Sequence, residues 1–181
     1  MKKLVFATLM CVAAMSAKAQ VLTSETVNNV YEEMTNKSKS EFAFNAERTG
    51  NDITAMYVYK QVKGAKDMVT LKPHRKYEYT YATDGTVASK VTYIWNEEES
   101  NWSCAGRHDF TLTYSTYRAE YSRFNDLKKD FDQPLDRMVY SLIPGDSVNY
   151  VSCYHRNSPK AQMQLVSETA VTGTSNFLAE K

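Results

Sequence analysis

Proline, glycine and cysteine are all scarce: four, six and three residues in a chain of 181. So little Gly and Pro excludes collagen-like repeats and low-complexity linkers. Three cysteines are too few for a disulfide-stapled miniprotein. Histidine occurs only as His74, His108 and His155, and no H-E-x-x-H zinc helix or G-x-S-x-G nucleophile elbow is present. An excess of charge of one sign is also missing, with 22 basic against 21 acidic residues interspersed along the chain. Without a basic face there is no grip on a phosphate backbone, so nucleic acid is not expected as a partner. The longest apolar stretch, Leu4 to Met15, stops after 12 residues, short of the roughly 20 that span a bilayer as a helix.

The place of that stretch explains it. Lys2 and Lys3 precede it and Ala17-Lys18-Ala19 follows, which makes residues 1–19 a secretory signal peptide with an A-x-A cleavage site. Met10 precedes Cys11 where lipid attachment would need a small residue. Cleavage would leave 162 residues from Gln20, with 19 basic and 21 acidic side chains and a formal charge of −2. That length fits one domain with a real core, periplasmic or secreted, with no membrane span after processing.

Tyrosine is abundant, 13 residues, and patterned. In Lys76 to Trp95 (KYEYTYATDGTVASKVTYIW) Tyr77, Tyr79 and Tyr81 share one side of a strand. After Asp84-Gly85, Val87, Ser89, Val91, Tyr93 and Trp95 share one side of the next. Asp-Gly supplies the two positive-φ positions of a tight two-residue turn, so the stretch predicts a β-hairpin. Upstream, Val27, Val30, Tyr31 and Met34 follow helical spacing, with Ser24 as cap, and predict a short helix within residues 20–40. From Glu41 the period is two. Strands are expected around Phe42–Phe44, Ile53–Tyr59, Met68–Leu71 (ended or edged by Pro73), Phe110–Tyr114, Ala119–Phe124, Met138–Leu142, Val148–Arg156 and Ala161–Glu168. NEEESN over 96–101 reads as a loop, NDLKKDFDQP over 125–134 as polar with at most one helical turn, Pro144-Gly145-Asp146 as a type II turn, and 173–181 as a flexible tail. Aromatic strand starts near 42, 77, 110 and 140 suggest degenerate hairpin repeats. The fold expected is all-β, an antiparallel meander over 41–172 that curls or closes into a sandwich to cover its aromatic face.

Y-x-Y-x-Y with T-D-G at 77–85, S-K-V-x-Y-x-W-N at 89–96, E-Y-S-R-F-N at 120–125 and M-V-Y-S-L at 138–142, behind a secretory leader, resemble a family of short exported bacterial proteins known only as a domain of unknown function. The resemblance covers most of the mature chain and implies no activity. The hairpin is also similar to the Y-x-Y-D-x-x-G repeats of large secreted shell proteins, but Ala82 stands where those carry Asp, with Asp84 displaced to the turn.

Trp95 and Trp102 flank the acidic loop at Glu97 to Glu99 and, with Tyr93, form either an aromatic platform for a sugar ring or peptide, or part of the core. Cys104 and Cys153 either pair, closing a loop of about 50 residues for roughly 4 kcal/mol, or stay as separate buried thiols. Cys104, His108, Cys153 and His155 offer a Cys2His2 set whose spacing matches no zinc finger, and no cofactor or metal is assigned. Sugar hydrolysis would need two converging carboxylates from Asp84, Asp109, Asp126, Asp130 and Asp132. The function expected is a non-catalytic binding module for an envelope glycan or protein partner. An exported glycan hydrolase and a small outer-membrane β-barrel are the alternatives, the latter opposed by a C-terminus, NFLAEK, that lacks an aromatic final strand.

Overall fold

The computed structural model describes residues 21–37, 40–64, 68–141 and 148–172. The expected leader at 1–19, the expected Pro144-Gly145-Asp146 turn and the expected tail from 173 lie outside these. After one helix, α1 (Ser24–Asn36), come β1 (Phe42–Thr49), β2 (Asp52–Lys63), β3 (Val69–Tyr81), β4 (Val87–Asn96), β5 (Asn101–Leu112), β6 (Thr116–Asn125), β7 (Asp130–Phe131), β8 (Asp136–Ser141), β9 (Val148–His155) and β10 (Gln164–Thr172). All pairings are antiparallel. The sheet runs in sequence order, with β8 following β6 and the short β7 pairing on the end of β6. This is the expected all-β antiparallel meander.

The sheet is curled and open. Residues of β1 and β9 wall one cavity, although seven strand spacings of about 4.8 Å would hold these strands roughly 34 Å apart in a flat sheet. Among the described residues β1 and β10 do not pair, so no barrel closes. The convex face also carries the ion pairs Lys76–Glu78, Arg107–Asp109 and Arg118–Glu120, where a membrane barrel needs an apolar band. The barrel alternative is set aside on both grounds.

The cap of helix α1 falls one residue before the expected Ser24. Thr23, extended at φ −120°, accepts through Oγ1 from the Thr26 N–H at 3.2 Å. Thr23 is held extended because residues 22–24 lie against the β3–β4 turn: the Val87 N–H donates to Leu22 C=O at 2.8 Å and the Ser24 N–H to Gly85 C=O at 3.0 Å. Val21, Leu22 and Val27 then pack on Ile53, Met56, Val87 and Tyr117 as the core, with Tyr77, Tyr79 and Tyr81 beside it. The expected cover over the aromatic face is thus α1 and the segment before it.

The hairpin at the sequence's centre forms, with a different turn. Ala82–Gly85 makes a four-residue turn closed by the Gly85 N–H on Ala82 C=O at 3.0 Å, and of its residues only Gly85, at φ 80°, is left-handed. This is the longer hairpin loop that ends in a left-handed glycine. A register shift between Thr80 and Tyr81 leaves Ala88 as an extra residue. The bulge moves Val87 onto the concave side while Val91, Tyr93 and Trp95 face out, so the five residues expected on one side are split. In the same way Thr54 is extra opposite Glu47 and Arg48, and Ile53 shares the concave side with Met56 and Val58 rather than with Tyr57 and Tyr59. The expected strand at Met68–Leu71 begins at Val69 and is one with Tyr77–Tyr81 in β3, which runs through Pro73. Pro73 stands opposite Tyr59 at the register shift between Val58 and Tyr59, where the ladder is already interrupted and a missing N–H matters least. The segment 125–134 forms no helical turn; it folds back as a small hairpin with Phe124 opposite Phe131 and Lys129 left-handed at φ 53°.

Candidate functional site on the concave face

Beyond the core, the concave side of the sheet surrounds a cavity of about 650 Å³. Its walls are mostly apolar: Val30 and Met34 of α1, Phe42 and Phe44 of β1, Met56 and Val58 of β2, Ile94 of β4 and Met138 of β8. A polar line crosses this surface. Tyr79 pairs with Lys90, Lys90 with His108, His108 with Tyr121, Tyr121 with Asp136 and Asp136 with His155, one register level through six strands. The first five line the cavity, and His155 Nδ1 lies 2.7 Å from Asp136 Oδ1 at the end of the line.

Polar side chains on a buried apolar face cost stability unless they find partners. His108 is 9% exposed, stacked on Phe110 and tilted against Tyr121 with ring centroids 5.0 Å apart. Its Nδ1 is buried without a hydrogen-bond partner, as is Nε of Arg75, which lines the same cavity. Burial, reinforced by the Lys90 charge, pushes the His108 pKa down to about 3, so the ring is neutral at physiological pH. Burial also raises the hydroxyls of Tyr79 and Tyr121 above the usual phenol range. Tyr121 fits because its diagonal neighbour on β5 is bare: a Cβ on Gly106, the register partner of Arg123, would lie 2.6 Å from Tyr121 Cε2 and 2.8 Å from the Ser122 carbonyl oxygen.

Among the described residues Asp136 is the one carboxylate in the lining. The acids considered for hydrolysis do not converge there. Asp84 holds the β3–β4 turn by accepting from Thr86, Asp109 pairs with Arg107 on the convex face, and Asp126, Asp130 and Asp132 lie in or beside the β6–β7 hairpin, Asp132 accepting from Lys128.

Trp95, Trp102 and Tyr93 are brought together on the convex face. Trp95 and Trp102 form a cross-strand pair, edge-on at 5.0 Å, and Tyr57 lies 6.1 Å from Trp102. Tyr93 donates to Glu78 Oε2 at 2.7 Å, and Lys76 Nζ sits 4.3 Å over its ring. Burial pushes the Glu78 carboxyl up, but hydrogen bonds from Lys76 and Tyr93 outweigh it and hold the group below its ordinary range. Both tryptophans are half-buried and belong to no core cluster.

Cys104 and Cys153 are free thiols. They sit on β5 and β9, three strand spacings or about 14 Å apart in a flat sheet, and a disulfide needs Cα atoms within roughly 7 Å. Cys153 and His108 line the cavity, while Cys104 is the register partner of the outward-facing Tyr93. The four residues of the Cys2His2 set therefore do not meet, and no group of three or more metal-ligating side chains converges among the described residues. Sequence reasoning missed Tyr79, Lys90, Tyr121 and Asp136 as site residues; their signal is polar residues at inward positions, visible only once the bulges have set the register.

A model described as a family of unknown function, DUF3836, matches residues 1–142. The chain belongs to DUF3836. The tyrosine-rich repeat does not extend this finding: Phe42, Tyr77, Phe110 and Tyr140 fall on alternate strands but at different heights, at the start of β1, within β3 and near the ends of β5 and β8. A solved protein of unknown function from Bacteroides fragilis NCTC 9343 is similar at 25% identity and a TM-score of 0.60, over 75% of this chain and 94% of that one. DUF3836 proteins from Bacteroides vulgatus ATCC 8482 (20% identity, TM-score 0.46, over 51% of this chain and 89% of that one) and Parabacteroides distasonis ATCC 8503 (17%, 0.49, 56% and 90%) are also similar. No curated protein matches the chain.

Proposed function

We propose that this DUF3836 protein is an exported, non-catalytic binding module, periplasmic or secreted, that holds a small and mostly apolar ligand in the concave cavity. The cavity carries the reading. At about 650 Å³ it falls within the ~300–1,000 Å³ of small-molecule sites, and an apolar wall with a few convergent polar groups is their usual make-up. Protein interiors otherwise pack without voids of this size, because unfilled space forfeits contacts. The leader at 1–19 supports export. A hydrolase acting on glycans has less support, since that chemistry takes two carboxylates and Asp136 is the one carboxylate of the lining among the described residues.

The test uses the mature chain from Gln20 and the fluorophore 1-anilinonaphthalene-8-sulfonate. Saturable enhancement on the native protein is expected, lost in Thr92→Trp, which fills the cavity from β4, with circular dichroism unchanged. A native protein that shows no saturable enhancement defeats the proposal. A second reading, a platform for an envelope glycan or protein partner, draws support from the half-buried Trp95, Trp102 and Tyr93 on the convex face.

A further inference from the structure

The cavity has a charged end and an oily remainder, which narrows the ligand it suits. Tyr79, Lys90 and His108 stand on three neighbouring strands at one register level. Cross-strand neighbours have Cβ atoms about 5 Å apart, so a group centred over Lys90 is within reach of both flanking side chains. The three are a phenol, an ammonium and an imidazole, all able to donate hydrogen bonds. Arg75 and Arg137 add further cations to the lining, Arg137 paired with Glu120, against Asp136 as the single carboxylate among the described residues, which already contacts His155 at 2.7 Å. His108 Nδ1 is enclosed by the protein without a partner, so Nε2 is the ring nitrogen that can serve a ligand.

We infer that the ligand is an amphiphile with one compact acidic head, a carboxylate or its equivalent, received by Tyr79, Lys90 and His108, with its apolar body along Met56, Val58 and Met34. The inference rests on the cavity being the ligand site. A carboxylate there takes a charge-assisted hydrogen bond from Lys90 in a medium of lower dielectric than water, where such bonds are at their strongest. It accepts from the Tyr79 hydroxyl and from His108 in the tautomer with the proton on Nε2, the ring nitrogen that is not enclosed. The neutral ring suits this role: burial beside Lys90 keeps a second positive charge off it. The apolar strip from β2 to α1 is continuous with the head site, so one unbranched chain or fused ring system can lie along it.

Dodecanoate and dodecan-1-ol, titrated calorimetrically into the mature protein, separate head from tail. Dodecanoate is expected to bind at least about tenfold more tightly, the equivalent of one hydrogen bond to a charged group. Lys90→Met should bring dodecanoate to the level of the alcohol and leave the alcohol unchanged. Equal binding of the two probes by the wild-type protein would overturn the acidic head and leave the cavity as an apolar site. If neither probe binds, the inference falls alone when the anilinonaphthalene fluorophore still binds, and together with the cavity reading when it does not. The wild-type comparison decides the matter by itself should Lys90→Met fail to fold.

Discussion

At Gly106 the backbone of β5 runs directly beneath the Tyr121 ring, and an added methyl would collide with both the ring and the Ser122 carbonyl. Ring and backbone cannot both move aside, so Gly106→Ala should lose about 1–3 kcal/mol in urea denaturation, the usual range for overpacking. His108 predicts a pH dependence. Its pKa is near 6.5 unfolded and about 3 folded, so between these values the unfolded chain takes up a proton that the native state refuses. Stability is then full above pH 6.5 and falls on acidification, by about 2 kcal/mol between pH 7.5 and 5.0. His74, lowered by burial and by Arg75 and Lys60, acts in the same direction. Urea midpoints at the two pH values check this, and His108→Phe should shrink the difference. Trp102, half-buried and edge-on to Trp95, joins β4 to β5. Trp102→Ala should lower the melting temperature by the loss of buried area and of an aromatic pair contributing about 0.5–1.5 kcal/mol. Loss of retention on envelope glycans beyond what the destabilisation explains would support the platform reading.

Helix α1 is the element that turns an open sheet into a container, because its inward side both seals the core through Val27 and walls the cavity through Val30 and Met34. Thirteen residues are too few to hold a helix in water alone, so packing of that side must supply the stability. Val27→Ala should therefore cost about 1–3 kcal/mol by removing two buried methyl groups, and Thr23→Ala about 1 kcal/mol by removing the cap, both measured by thermal unfolding. The helix was legible in the sequence because four apolar residues at helical spacing have no other use on a polar segment. The strands were legible in number and type, yet not in facing. At Thr54, Ala88 and Ala105 one strand carries an extra residue, and each such residue reverses every side chain beyond it.

The whole molecule is a single curled meander whose two faces have different work. Its convex face carries the ion pairs and the tryptophans; its concave face carries the core and the cavity. The register also decides the cysteines, which lie on opposite sides of the sheet with β6 and β8 between their strands. Thiol titration of the denatured, unreduced chain from Gln20 should accordingly count two free thiols, and one disulfide in place of them would contradict the fold as described.

Period-two alternation, helical spacing at Val27 to Met34 and the Asp84-Gly85 turn signal were enough, by themselves, to determine an all-β antiparallel meander with one short helix, since those patterns depend on neighbours along the chain. The line from Tyr79 to His155 depends instead on the register of six strands, and that register is set by bulges whose positions no local pattern marks. Only the tertiary structure could place Lys90 beside His108, send Cys104 and Cys153 to opposite faces, and leave a cavity under α1, because each is a relation between residues distant in sequence that pairing alone brings together.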